Sequence, residues 1–156
     1  MSGIINSAGS RSGIIGETEL DYEEGTWTPK IADTSDGDQM GYATQSASYR
    51  KIGKIVYICG KVVTNALNSC SGAIRLQGLP FSPSTAQPHC TGVISSGTAE
   101  SHVLGGDYTI VGRVNQTDAI ANLYKWSATG GTTPLTHSEW DASGEMEFGG
   151  SYITDI

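Results

Sequence analysis

Three histidines, three cysteines and 16 Asp and Glu residues are the groups of this 156-residue chain with catalytic or metal-binding capacity. Their spacing suits neither task. His89, His102 and His137 stand far apart, and none forms the helical i, i+4 pair with an acid by which a metalloprotease holds zinc. Cys90 adjoins His89, but neighbours on a strand point to opposite faces, so thiol and imidazole would not meet as nucleophile and base. No Gly-x-Ser-x-Gly elbow occurs, and Gly130-Gly131 runs into Thr132-Thr133 without a phosphate-binding lysine. Asp33, Asp36 and Asp38 surround Gly37 in a spacing that fits a turn better than a calcium loop, which would close on a glutamate. Cys59, Cys70 and Cys90 match no zinc pattern and are read as three unpaired thiols. The many acids place no constraint on a glycosidase pair. No catalytic residue, metal or cofactor is therefore expected.

The elements available to position any site follow from composition. Gly (21), Ser (18) and Thr (16) make up about a third of the chain, while only 16% is charged. A coiled coil or helical bundle would need more Ala, Glu, Lys and Leu. The 12 aromatic residues and the many Val and Ile argue against disorder. A net charge of −7 without a Lys/Arg cluster is poorly suited to a phosphate backbone, so nucleic acid is not an expected partner. No apolar run approaches the length of a bilayer span, and the N-terminus has no signal-peptide pattern.

From Trp27 onward the pattern is that of strands. In Lys54 to Thr64, Ile55, Tyr57, Cys59 and Val63 fall on one face and Val56, Ile58 and Val62 on the other, so the strand should be covered on both sides, the second cover being a partner subunit. Ala73 to Leu79, Cys90 to Ser96, Tyr108 to Asn115, Ile120 to Ser127 and Glu145 to Thr154 are further strands, each bounded by turn residues. In the last, Met146, Phe148, Tyr152 and Thr154 share a face opposite Glu145, Glu147 and Ser151. The expected fold is all-β: an antiparallel, jelly-roll-like β-sandwich with an extended N-terminal arm, assembled as a homotrimer.

The arm is residues 1–16, where Ser2-Gly3-Ile4-Ile5 recurs as Ser12-Gly13-Ile14-Ile15 around a Gly/Ser linker containing Arg11. Two Ile pairs on a mobile monomer tail would be exposed apolar groups with no purpose, so Ile4, Ile5, Arg11, Ile14 and Ile15 are read as partner-binding. Fully extended, such an arm reaches about 50 Å. One more strand of the domain's own sheet is the alternative reading. Residues 17–40 then form an acidic linker, with Glu17, Glu19, Asp21 and Glu23 alternating, and the first strand; residues 41–156 form the sandwich.

Three motifs carry a family likeness. Asp21-Tyr22-Glu23-Glu24-Gly25-Thr26-Trp27-Thr28-Pro29, then Tyr49-Arg50-Lys51-Ile52-Gly53-Lys54-Ile55-Val56, then Leu79-Pro80-Phe81 together resemble the terminal domains of bacteriophage tail-fibre proteins over roughly residues 20 to 156. The resemblance implies a homotrimeric, β-rich virion protein assembled in the host cytoplasm. The chain departs from that family in being short and beginning at methionine, and no long shaft is expected ahead of the domain. From the residues alone, Gly25 should supply a bend before Trp27, Pro29 should sit at an edge or bend, and Leu79 and Phe81 should plug the core.

The leading functional reading is a short trimeric tail fibre or receptor-binding knob, anchored to the particle by its arm. Tyr124, Trp126, His137 and Trp140, with the loop from Thr129 to His137, form its candidate distal surface, because aromatic rings on polar loops suit the faces of host glycans. A capsid decoration, or cement, protein is the alternative, with the same arm lying over capsid subunits. A glycan-cleaving enzyme is third and disfavoured. The expected partners are copies of the chain itself and phage tail or capsid proteins bound through residues 1–16.

Overall fold

The computed structural model describes residues 21–34, 40–86, 91–104, 108–116 and 118–156. Ten strands follow one another: β1 (Tyr22–Trp27), β2 (Lys30–Asp33), β3 (Gly41–Ile52), β4 (Ile55–Ala66), β5 (Ile74–Gln77), β6 (Gly92–His102), β7 (Thr109–Val114), β8 (Ile120–Ser127), β9 (Gly131–Pro134) and β10 (Trp140–Ile153). They form one antiparallel sheet in the order β1-β3-β4-β10-β6-β7-β8-β5-β2, with β9 beside β8. The fold is all-β, as the composition and strand rhythm predict. Its two layers are regions of a single curled sheet.

The curl is closed by a corner. β1 lies at one end of the strand order and β2 at the other, yet only Thr28 and Pro29 separate them. Pro29 has no N–H to offer a ladder, which suits it to the place where the chain leaves β3 and joins β5. Side chains of β3 complete the closure. The Tyr42 hydroxyl accepts from the Ile31 N–H and donates to the Ile31 carbonyl, both at 2.7 Å, and Gln45 donates to the Pro29 carbonyl at 2.8 Å. The edge of β2 is thus satisfied by side chains where no strand pairs with it. Burial pushes the Tyr42 hydroxyl pKa up to about 12, so it remains a donor throughout the physiological range.

Alternation then decides what enters the core. Val56, Ile58 and Val62 of β4, Met146, Phe148 and Tyr152 of β10, Ile94 of β6, Ile110 and Val114 of β7, Leu123 of β8 and Ile74 and Leu76 of β5 all point inward and are buried. The faces expected for the last strand hold, and Thr154 is buried with them. β10 is last in sequence but central in space, between β4 and β6. β1 and β2 belong to the same sheet as everything after them, so the boundary expected at residue 40 falls inside one folded unit.

Candidate functional site

The three motif segments, distant in sequence, meet at the closure. The register aligns Trp27 with Ala47, Ala47 with Gly60 and Gly60 with Phe148 along one inward row. Ala47 and Gly60 are small enough for the Trp27 indole to reach across them and meet Phe148 edge-on, ring centroids 5.9 Å apart. A Cβ on Gly60 would stand 2.4 Å from that of Ala47, so the glycine is required for space. Gly25 has a similar role and does not supply the expected bend. It pairs with Tyr49 within β1, and a Cβ there would stand 2.8 Å from the Tyr49 hydroxyl oxygen. The Tyr49 ring lies edge-on to Phe81 at 5.2 Å, and its hydroxyl donates to Glu23 at 2.7 Å. Tyr152 holds Phe81 from the other side, donating to its carbonyl and accepting from its N–H at 3.0 Å each. Lys51, nearly buried, extends its ammonium to Asp21 at 2.5 Å and over the Phe81 ring at 5.8 Å. Each motif residue here serves the fold.

Downstream of this cluster the segment after β5 is tied to the end of β10. Pro83 bridges to Thr154, the Ser84 N–H donates to the Ile153 carbonyl, and the Asp155 carboxylate accepts from Ser84 and from the N–H and hydroxyl of Thr85. The Ser84 hydroxyl and the Thr85 N–H hold the Asp155 pKa below its ordinary value.

The outer face of the same strands is where apolar groups meet solvent. Ile55 and Tyr57 of β4 are 43% and 49% exposed, opposite the buried Val56 and Ile58. Two rows of cross-strand neighbours extend from them. One joins Tyr22, Ile52, Ile55 and Ile153; the other runs Glu24, Arg50, Tyr57, Ser151, Val93 and Arg113. Tyr22, Ile52 and Val93 are also exposed, Val93 at 58%. Tyr22, Ile52, Ile55, Tyr57 and Val93 thus gather exposed apolar side chains on one outer face, and clustered exposed apolar groups are a feature of interaction sites. Cys59 continues the face, its sulfur 3.2 Å from the Ser48 hydroxyl, among Ser46, Gly60, Lys61 and Glu147. Cys70 is buried, and Cys90 lies outside the described residues.

The four aromatic and imidazole groups expected on a distal surface separate. Trp126 is 49% exposed and shares the outward face of β8 with the half-buried Tyr124, which lines a shallow depression with Val93, Val111, Arg113 and Thr132. Four residues of the loop expected from Thr129 to His137, Gly131–Pro134, form β9, paired to β8. His137 turns toward the body: its N–H donates to Gly72 and its Nδ1 is buried. Trp140 is wholly buried and cannot be a surface contact. Its indole N–H donates at 3.0 Å to Thr64, whose hydroxyl donates to the Gly144 carbonyl at 3.2 Å. This polar core was not legible in the sequence, because Thr64, Trp140 and Gly144 are brought together by the pairing of β4 with β10.

His102 packs on Trp140 with ring centroids 4.3 Å apart, and its Nε2 lies 3.0 Å from the Glu145 carbonyl. Burial lowers its pKa, against the opposing pull of that carbonyl and of Asp141. The unfolded imidazole takes a proton near pH 6.5, whereas the folded one resists until lower pH. The contribution of His102 to stability is therefore complete above about 6.5 and declines as pH falls toward the folded pKa. The midpoint of thermal unfolding should drop between pH 7.5 and 5, and His102→Gln should flatten that slope. An unchanged slope in the variant would assign the acid sensitivity elsewhere.

Asp33 is buried and accepts the Ser71 N–H at 3.0 Å; Asp36 and Asp38 lie outside the described residues, as do His89 and the arm residues Ile4, Ile5, Arg11, Ile14 and Ile15. Among the described residues no group of three or more His, Cys, Asp or Glu side chains is placed to hold a metal ion, and no helix is long and apolar enough to cross a membrane.

Known proteins share the curled sheet. The fold matches part of the Dettilon tailspike protein (gp208). The match has a TM-score of 0.71 at 12% identity and covers 85% of this chain. The chain spans 24% of that tailspike's length, so the likeness concerns one portion of a larger protein. No protein-family model matches the chain, and no curated protein matches it.

Proposed function

We propose that this chain is a non-catalytic virion protein of a bacteriophage tail, a short trimeric fibre or receptor-binding knob held to the particle by residues 1–16. The observation that carries the reading is β4, a strand buried on one face and apolar on the other, flanked by Tyr22, Ile52 and Val93 in register. A strand of this kind is at home where a second polypeptide covers it. The tailspike likeness supports the fold of a tail component, and the three motifs that resemble tail-fibre domains support the same assignment. Trp126 and Tyr124, on one outward face of β8, supply the ring surfaces for a host glycan.

The test is the chain's place and copy number in purified particles. Labelled antibody at the tail, with tens of copies in multiples of three, is the expected result. Hundreds of copies over the head shell would make the chain a decoration protein, and turnover of a host polysaccharide by the purified chain would make it an enzyme; either overturns the reading.

A further inference from the structure

We propose that the unassembled chain folds its arm back onto its own outer face, with Ile14 between Ile55 and Tyr57 and Ile15 against Ile52 and Tyr22. Attachment of the arm to the particle then uncovers β4 for a neighbouring copy. The inference rests on the reading of residues 1–16 as an attachment arm and adds its resting place. Tyr22, Ile52, Ile55 and Tyr57 are exposed apolar side chains on three adjacent strands. Tyr22 is also where the arm joins the sheet. It opens β1, and Asp21 before it is fixed by its carbonyl to the Gly53 N–H at 2.7 Å and by its carboxylate to Lys51. The upstream chain therefore starts from the patch itself.

Length and residue type fit the seat. Ile15 precedes Tyr22 by seven residues, a reach of about 23 Å, whereas Ile55 lies two strand spacings from β1, about 10 Å. Gly13 and Gly16 flank the Ile pair and let the chain double back at little steric cost. Residues 1–16 contain no acid, so they approach a chain of net charge −7 without repulsion. Two isoleucines need far less contact than an interface between separate molecules, because a short flexible tether holds them at an effective concentration of about 1 mM. The same tether decides between this chain and its neighbour: at about 1 μM protein, the seat on the own chain is favoured about a thousandfold. Cys59 marks the register. It faces outward two residues beyond Tyr57, as Tyr57 does beyond Ile55, and on an extended arm Ser12 shares a face with Ile14. With Ile14 beside Tyr57, residue 12 stands over Cys59.

The experiment uses the full chain carrying Ser12→Cys, which leaves both Ile pairs intact, and Cys90→Ser, so that the partner thiols are the exposed Cys59 and the buried Cys70. At about 1 μM protein in a glutathione buffer, the thiol at position 12 should form a disulfide with Cys59 of the same chain, identified by peptide mapping. It should form at least about tenfold faster than when Ile14→Asp and Ile15→Asp are also present, because these keep the tether and remove the apolar seat. Equal rates with and without the Asp substitutions overturn the seat, and a disulfide formed mainly between chains overturns its assignment to the own chain. Sedimentation reads the uncovering: Ile14→Asp with Ile15→Asp should lower the concentration at which trimers form at least about tenfold, and an unchanged concentration overturns that step. Normal entry into particles of a chain lacking residues 2–15, with the disulfide result as expected, would overturn the attachment reading and leave the seat standing.

Discussion

Replacing Trp140 with alanine is expected to cost about 3–5 kcal/mol of folding stability. The side chain is fully buried, stacked against His102 and hydrogen-bonded to Thr64. Gly144 leaves it room: a Cβ there would stand 2.6 Å from the indole nitrogen. Truncation would open a cavity of ring size between β4 and β10 and leave the Thr64 hydroxyl with one partner fewer. For a domain of this length the midpoint of thermal unfolding should fall by about 10 °C or more. Thr64→Val tests the polar part separately. It preserves shape but strips the indole N–H of its acceptor, a loss of about 1–3 kcal/mol. A Trp140→Ala protein within about 1 kcal/mol of wild type would mean that this side chain is not held as described.

Deleting residues 2–15 should abolish entry of the chain into particles while leaving the β-domain folded and trimeric. The proposed anchor is the repeated Ile pair, Ile4-Ile5 and Ile14-Ile15, and in the proposed trimer three such arms would act together, so losing all of them would remove the multivalent gain as well as the contacts. Ile4→Asp with Ile14→Asp should reproduce most of the defect, because a carboxylate in an apolar groove costs several kcal/mol. Each 1.4 kcal/mol is a factor of ten in affinity, so incorporation should fall to about 1% or less of wild type. Immunoblots of purified particles measure it, with circular dichroism and sedimentation confirming the fold. Normal incorporation of the deletion protein would remove the arm from the mechanism, and failure of that protein to fold would make the segment part of the domain.

Local pattern reaches only part of this structure. Alternation within a strand is local, so the faces of β4 and β10 and the span of β8 could be read directly from residue order. The short β9 has no signature in residue order, because Gly131-Thr132-Thr133-Pro134 has turn chemistry and no apolar alternation. Its strand character comes from pairing with Tyr124 to Ser127. The role of Gly25 is hidden in the sequence for a related reason. Glycine is a common bend residue, and what distinguishes this one is the Tyr49 ring lying over it. Trp140 looked like a surface aromatic beside polar loop residues, and its burial depends on β10 inserting between β4 and β6.

Composition and periodicity alone determined that this chain builds an antiparallel β-domain, that β4 is apolar on both faces, and that its titratable groups have no familiar catalytic spacing. Those properties reside in residue types and in the two-residue period of a strand. The tertiary structure alone decided that β1 and β2 close one curled sheet at Pro29, that the three motifs converge on Phe81 and Phe148, and that Trp140 belongs to the core. These depend on pairings between segments tens of residues apart, and strand order is set by which partners together bury the most apolar surface, a quantity that no short stretch of residues contains.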